Sequence, residues 1–321
     1  MIIDSCQGRG RIRPACLEYF DKLGIDPGAI SLIVASHWHD DHIKGISRLY
    51  ESATAAEFCI AAAIRPHEFL ALTGAQAPNS KFSSGADELS KVALIAAKRG
   101  VAVKTVAAGT RLIHEPAGPV NEVWALSPSA LETQLGREHL AALLPTYQRG
   151  SRRLPAQDPN DTSIVIYVQT VAGPLLFGGD LEHQVNSRSR GWHAVMDLEA
   201  VPNDPCTVFK VPHHGSINAH CPEVWDHRVA DDAFAIITPF DRGATPVPRQ
   251  SDRARLRALT TRGYLTSDKR NPPQPRDRVT VKTIREATRA FVPQTLEMGH
   301  VQLRSSNIGW TVAGTDQVRL I

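Results

Sequence analysis

Apolar positions along the chain fall into two alternating patterns, short continuous runs and helically spaced stripes. Runs at 31–36 (SLIVAS), 101–106 (VAVKTV), 162–169 (TSIVIYVQ), 174–177 (PLLF), 206–211 (CTVFKV) and 233–238 (AFAIIT) predict buried strands. Between them, 14–23 reads as a helix with Pro14 at its first turn and Gly24 at its stop. The stretch 85–99 reads as a helix ended by Gly100, with further helices over 42–50, near 129–144 and over 251–262. Strand tendency returns at 307–313 and near the C-terminus. The Pro-containing loops at 145–160 and 270–276 are the least regular stretches, and neither reads as an interdomain hinge. Such alternation predicts a layered α/β core in a single domain spanning 1–321.

Several of these strands end in residues that carry chemistry. After the first comes His37-Trp38-His39-Asp40-Asp41-His42, three imidazoles and two carboxylates on one turn. Two histidines two apart at a strand end can point into one cavity, and imidazole with carboxylate suits zinc, manganese or iron. The strand at 174–177 runs into Gly178-Gly179-Asp180, whose glycines let the backbone turn sharply toward a shared centre. The strand at 206–211 runs into Pro212-His213-His214-Gly215-Ser216. Trp38, between two candidate ligands, reads as packing, and His114 as a surface histidine.

Composition narrows the picture without changing it. Apolar content of 42% and charged content of 21% are ordinary for a globular protein of 321 residues. No apolar run approaches the roughly 18–20 residues of a membrane span, and Met1 to Cys6 has no leader pattern, so a cytoplasmic protein is expected. The five cysteines are scattered with no C-x-x-C pair, which predicts free thiols rather than disulfides or a thiolate zinc knuckle. Net charge is only +3, yet residues 241–290 hold 13 Lys/Arg against 5 Asp/Glu. That basic stretch could face a polyanion or form a solvated helix surface.

Taken in order, H-x-H-x-D-H, G-G-D and H-H-G-S, the motifs resemble those of the metallo-β-lactamase-fold metallohydrolases over about residues 1–270. The K-V-P-H-H-G-S form resembles the subgroup that includes the ComEC-type nuclease-like domain. The resemblance implies a four-layer αβ/βα sandwich with two divalent ions, zinc first and manganese or iron as alternatives. It implies that His37 and His39 bind one ion, that Asp41, His42 and His214 bind the other, and that Asp180 bridges. His213 would face the substrate, Asp41 would belong to the catalytic group, and Asp4 would support the site from behind. The implied activity is that of a phosphodiesterase, with a phosphodiester or nucleic-acid substrate and no membrane. Alternatives are hydrolysis of a lactone, thioester or other acyl substrate, or a non-enzymatic metal-stabilised binding module.

The chain departs from the family pattern in three places. The family's usual further histidine is replaced by Pro159-Asn160-Asp161-Thr162-Ser163. A late Tyr-Gly-His-Pro segment is replaced by Asp241 to Pro248. The chain also starts almost at the Asp4 strand, so the first strands are expected to be shortened, with a protein partner or a second copy along that sheet edge.

Overall fold

The computed structural model describes residues 1–7, 13–64, 84–148, 159–199, 201–240, 246–267, 278–287, 299–306, 309–315 and 318–321. Two sheets form its frame. The first is all parallel, in the order β1 (Ile2–Ile3), β2 (Leu32–Val34), β3 (Glu57–Ala61), β4 (Lys104–Val106). Helices α1 (Ala15–Leu23), α2 (Asp40–Ile43), α3 (Ile46–Ser52) and α4 (Ser84–Arg99) lie between these strands in sequence.

The second sheet is mixed. It contains β5 (Thr110–His114), β6 (Val120–Ala125), β7 (Ile166–Thr170), β8 (Leu175–Phe177), β9 (Cys206–Lys210), β10 (Val229–Ile237), β11 (Gly263–Leu265) and β14 (Arg319–Leu320). They run in the order β14-β11-β10-β9-β8-β7-β6-β5, antiparallel from β5 to β8 and parallel from β8 to β11. The remaining helices are α5 (Ala130–Gln148), α6 (Gly191–Met196), α7 (Pro222–His227), α8 (Gln250–Leu259) and α9 (Arg278–Ala287). A separate hairpin pairs β12 (Val301–Ser306) with β13 (Gly309–Gly314). Among the described residues no helix is long and apolar enough to cross a membrane.

Side-chain alternation along the strands fixes the layers. Leu32 and Val34 pack with Cys59, Ala61 and Val106 against Val123, Ala125, Ile164, Ile166 and Val168, which is the interior between the two sheets. Their neighbours point the other way, as a period of two requires. Ile33, Phe58 and Ile60 pack against Leu17, Leu49, Tyr50 and Val92 of α1, α3 and α4. On the far side, Tyr167, Leu176 and Phe209 pack against Trp192, Val195, Val224 and Leu256 of α6, α7 and α8. Helices, sheet, sheet, helices: this is the four-layer αβ/βα sandwich that the motif resemblance implies, built on the layered α/β core expected from the strand and helix pattern. β2 is covered on both faces, which is why it reads as an unbroken apolar run, and β3 beside it is buried from residue 58 to 61.

Local boundaries shift where a backbone need overrides the apolar pattern. The expected helix over 42–50 is two helices, because Gly45 adopts φ 84° between α2 and α3. The strand expected from 162 begins at Ile166, since Pro159–Thr162 form a 3-10 turn. The loop at 270–276, residues 241–245 and most of the loop at 145–160 lie outside the described residues, so only part of the basic 241–290 stretch is seen. Within it, Arg255 donates to the Gly215 carbonyl at 2.7 Å and to Asp252 at 2.7 Å, so this arginine braces the H-H-G-S loop.

Candidate metal centre

The three motifs meet at one end of the sandwich, where β1, β2, β8 and β9 stop. Asp4 follows β1, His37 lies three residues past β2, Asp180 three past β8, and His214 four past β9. Parallel strands deliver their C-terminal ends to the same edge, so residues distant in sequence arrive together there.

The imidazoles are held by their far nitrogens. His42 Nδ1 lies 2.7 Å from Asp4 Oδ2. His214 Nδ1 lies 2.8 Å from the Thr238 carbonyl oxygen. His37 Nδ1 lies 3.0 Å from Ser36 Oγ, which itself donates to Asp4 Oδ2 at 2.6 Å and so must accept from the ring. Each of these Nδ1 atoms therefore carries a hydrogen, which leaves Nε2 with a bare lone pair when the ring is neutral.

Those lone pairs point at other acceptors. His42 Nε2 is 3.2 Å from Asp180 Oδ1, and His37 Nε2 is 3.7 Å from Asp180 Oδ2. His214 Nε2 is 3.4 Å from Asp180 Oδ2 and 3.2 Å from Asp41 Oδ2. His39 joins through Nδ1, 3.1 Å from His37 Nε2. Asp180, only 2% exposed, sits in the middle with both oxygens engaged. Two groups have ligand atoms close enough for one ion each: His37, His42 and Asp180, and Asp41, His42 and His214. A buried nest of acceptors, each with its opposite nitrogen hydrogen-bonded to an oxygen, fits divalent cations by its donor set.

The backbone around the nest is built for close approach. Gly179 has φ 52°, and a Cβ there would lie 2.4 Å from Ser163 Oγ, the atom that accepts from the Asp180 amide at 2.9 Å. His213 and His214 adopt φ 45° and 55°, a region that costs a non-glycine residue about 1–2 kcal/mol. Phe240 stacks on the His214 ring at 5.1 Å. Asp40, the other acid of the first motif, accepts from the Gly85 amide at 2.8 Å at the start of α4. A Cβ on Gly85 would lie 2.0 Å from the Trp38 carbonyl oxygen, so α4 is seated directly on the histidine turn. Trp38 itself packs at the rim of the first core.

The structure separates the paired histidines. His214 enters the nest, whereas His213 Nδ1 lies 3.1 Å from Glu182 Oε1, with the two rings 6.0 Å apart. The hydrogen bond from His213 holds the Glu182 carboxyl below its usual range. Asn160, in the segment that lacks the family's further histidine, is buried and donates to Glu182 Oε1 at 3.3 Å. His114 stays remote on β5, 2.9 Å from Glu122. Lys210, which the sequence motif contained without a role, donates to the Val211 carbonyl at 3.3 Å. Burial lowers its pKa, while Asp180, Asp4 and Asp41 pull it back up.

Electrostatics in the metal-free protein follow from this crowding. Burial, reinforced by His42, holds the His37 pKa well below that of a free imidazole. Burial also works against a charge on His42, but Asp180 and Asp4 outweigh it and raise that pKa well above normal. Burial would raise Asp41, yet its contact with His214 and the charge of His42 bring it to about 2. Burial is likewise outweighed at Asp180, which the His42 charge holds well below the carboxylate range.

A sign follows for metal uptake. At neutral pH the metal-free His42 carries a proton that a cation must displace, so affinity rises with pH. Titrating the metal-free protein with zinc in weak buffer near pH 7 should release at least about one proton per chain. Uptake with no proton release would show that His42 keeps its proton and takes no part.

Sequences searched as relatives give no assignment: no family model matches the chain, and no curated protein matches it. Among solved structures, the chain is similar to the metallo-β-lactamase MIM-2, with 14% identity over 71% of each chain and a TM-score of 0.35.

Proposed function

We propose that the protein is a metal-dependent hydrolase whose centre is formed by His37, His39, Asp41, His42, Asp180 and His214, and that it cleaves phosphodiesters. The observation that carries this reading is the acceptor-only nest. Three Nε2 atoms, each a bare lone pair once its ring is neutral, face two carboxylates at 3.2–3.7 Å, with the Nδ1 of each ring already engaged. His37 and His39 would hold one ion, Asp41, His42 and His214 the other, and Asp180, touching both groups, would be shared. Divalent ions held there would supply Lewis acidity and bring the pKa of a water toward neutrality.

The chain's own residues do the rest. Asp4 and Ser36 lock the rings of His42 and His37 so that Nε2 points inward. Asp41, held ionised by its low pKa, stays an acceptor across the working pH range. His213, steadied by Glu182 at the nest's edge, is placed to hold a proton for a leaving oxygen. Preference for a phosphodiester rests on the H-H-G-S form and on the basic balance of 241–290, which could neutralise phosphates.

The test is a substrate panel with the zinc- or manganese-loaded protein: DNA, RNA, cyclic nucleotides, an aryl phosphodiester, a lactone and a thioester. Turnover of a phosphodiester that falls at least about tenfold in His213→Ala, with metal content unchanged, is the expected result. Turnover of acyl substrates alone would replace the phosphodiester reading with the acyl one. No turnover of any substrate by fully loaded protein would leave a metal-stabilised binding module.

A further inference from the structure

A second set of metal-binding side chains lies apart from that nest. His183, His193, Cys221 and Glu223 each offer a ligand atom, and the four atoms all lie within 4.8 Å of one another. They come from three segments: the loop after β8, the helix α6, and the start of α7 with the residue before it. None of the motifs read from the sequence includes them.

Tautomers decide what the cluster can do. His183 Nδ1 lies 2.7 Å from the His220 carbonyl oxygen, and His193 Nδ1 lies 3.3 Å from that of Ser187. Carbonyl oxygens only accept, so both hydrogens sit on Nδ1 and both neutral rings carry a bare lone pair on Nε2. Those two Nε2 atoms face each other at 3.1 Å, rings near perpendicular at 87°. Facing lone pairs repel unless something positive lies between them. Cys221 Sγ is 3.1 Å from Glu223 Oε2, and Glu223 Oε1 is 3.7 Å from His193 Nε2. In a tetrahedral zinc site, bonds of about 2.0–2.3 Å place neighbouring ligand atoms roughly 3.3–3.7 Å apart. The three spacings of 3.1, 3.1 and 3.7 Å lie within a few tenths of that, and all four ligand atoms fall within 4.8 Å, so small side-chain adjustments would close the site on an ion. His193 and Cys221 are buried, while Glu223, 44% exposed along its side chain, leaves a way in.

We propose that His183, His193, Cys221 and Glu223 form a closed, four-ligand structural zinc site, separate from the hydrolytic centre. Two imidazoles, a thiolate and a carboxylate suit zinc, and the thiolate disfavours magnesium or manganese. Binding transfers the Cys221 proton to solvent, and thiolate plus carboxylate then balance the dication. All four positions are protein ligands, so none is left for water or substrate. Its effect is to tie the loop after β8 to α6 and α7. His183, whose amide also donates to the Asn218 carbonyl at 2.7 Å, lies three residues after Asp180 and next to Glu182. A cation there clamps the segment that presents both carboxylates.

Cobalt(II) substitution tests this independently of any activity, since no cysteine belongs to the hydrolytic centre. The cobalt-loaded full chain should show a thiolate-to-cobalt charge-transfer band in the near ultraviolet. The band should persist in Asp180→Asn and vanish in Cys221→Ser, with zinc content falling by one per chain in the latter. Glu223→Gln, at the exposed position, should fold normally and lose this zinc to a chelator at least about tenfold faster. Absence of the band in wild type, or Cys221→Ser and Glu223→Gln retaining all their zinc, would overturn the proposal and leave the histidine pair sharing a proton. Should Cys221→Ser fail to fold, the wild-type band and Glu223→Gln still decide.

Discussion

Asp180→Asn should leave the protein folded, empty the nest at the strand ends of metal and abolish turnover. Asparagine has nearly the volume of aspartate, and the Asp180 amide keeps its bond to Ser163 Oγ at 2.9 Å. The new side-chain amide can donate to Nε2 of His42 or His214, which lie 3.2 and 3.4 Å from the carboxylate oxygens. In the metal-free wild type protonated His42 pairs with Asp180; in the variant His42 can give up that proton and accept from the new amide, so the pair is replaced and the nest stays satisfied without a cation. What is lost is the negative charge shared by both ligand groups. Lewis-acid stabilisation is worth several kcal/mol, so turnover should fall by about three orders of magnitude or more. Metal analysis and thermal melting on one preparation check this: metal at the strand-end nest gone, and the metal-free form still melting cooperatively. Asp180→Asn that keeps its metal and its rate would remove Asp180 from the centre.

Asp4→Ala should weaken metal binding without touching a ligand. Asp4 accepts from the Ser36 amide at 2.6 Å, from Ser36 Oγ at 2.6 Å and from His42 Nδ1 at 2.7 Å. Through Ser36 it also orients His37. Without it the His42 ring is free to rotate, and Ser36 Oγ can turn its hydrogen toward His37 and reverse that tautomer. Loss of such supporting partners typically costs 10–100-fold in metal affinity. Alanine also suits φ 61° poorly, at about 1–2 kcal/mol, whereas asparagine tolerates it. Asp4→Asn should therefore recover melting temperature but not affinity, because it offers one acceptor oxygen where Asp4 uses two, and its NH2 must face either the Ser36 amide or the donors of Ser36 Oγ and His42. Competition against a chelator for wild type and both variants separates the two effects. Equal affinity in all three would mean that Asp4 supports only the backbone.

The nest was legible in the sequence because each of its motifs directly follows an apolar run, and parallel strands carry run ends to one edge. His37, His39, Asp41, His42, Asp180 and His214, named from three separate segments, come together there, and His213 stands beside them on Glu182. The role of Asp40 was not legible: within H-x-H-D-D-H both acids look alike, and only the seat of α4 shows that Asp40 holds a helix amide.

Strands β3, β5, β6, β11 and β12 went unseen, β11 because only three residues form it and the others for different reasons. β3 (EFCIA) is a short apolar stretch that periodicity alone does not distinguish from helix. β5 and β6 mix polar and apolar residues because β5 is a sheet edge. β12 is half polar and partners the tendency seen at 307–313, which is β13.

The second cluster was invisible for a more basic reason. Its cysteine has no neighbouring cysteine, and its histidines lie ten residues apart, in a loop and a helix. Scattered cysteines argue against a local knuckle, but not against one thiol meeting two imidazoles through tertiary packing. The nearest hint was Cys221-Pro222-Glu223 at a helix start, too short a pattern to weigh alone.

The central claim is that the acceptor nest at the strand ends holds divalent metal. Anomalous diffraction at the zinc and manganese absorption edges, from crystals of metal-loaded protein, tests it most directly. Anomalous peaks are expected among His37, His39, His42, Asp41, Asp180 and His214, with Asp180 beside each of them. Loaded crystals with no peak in that nest, and with His42 still bonded to Asp180, would contradict it.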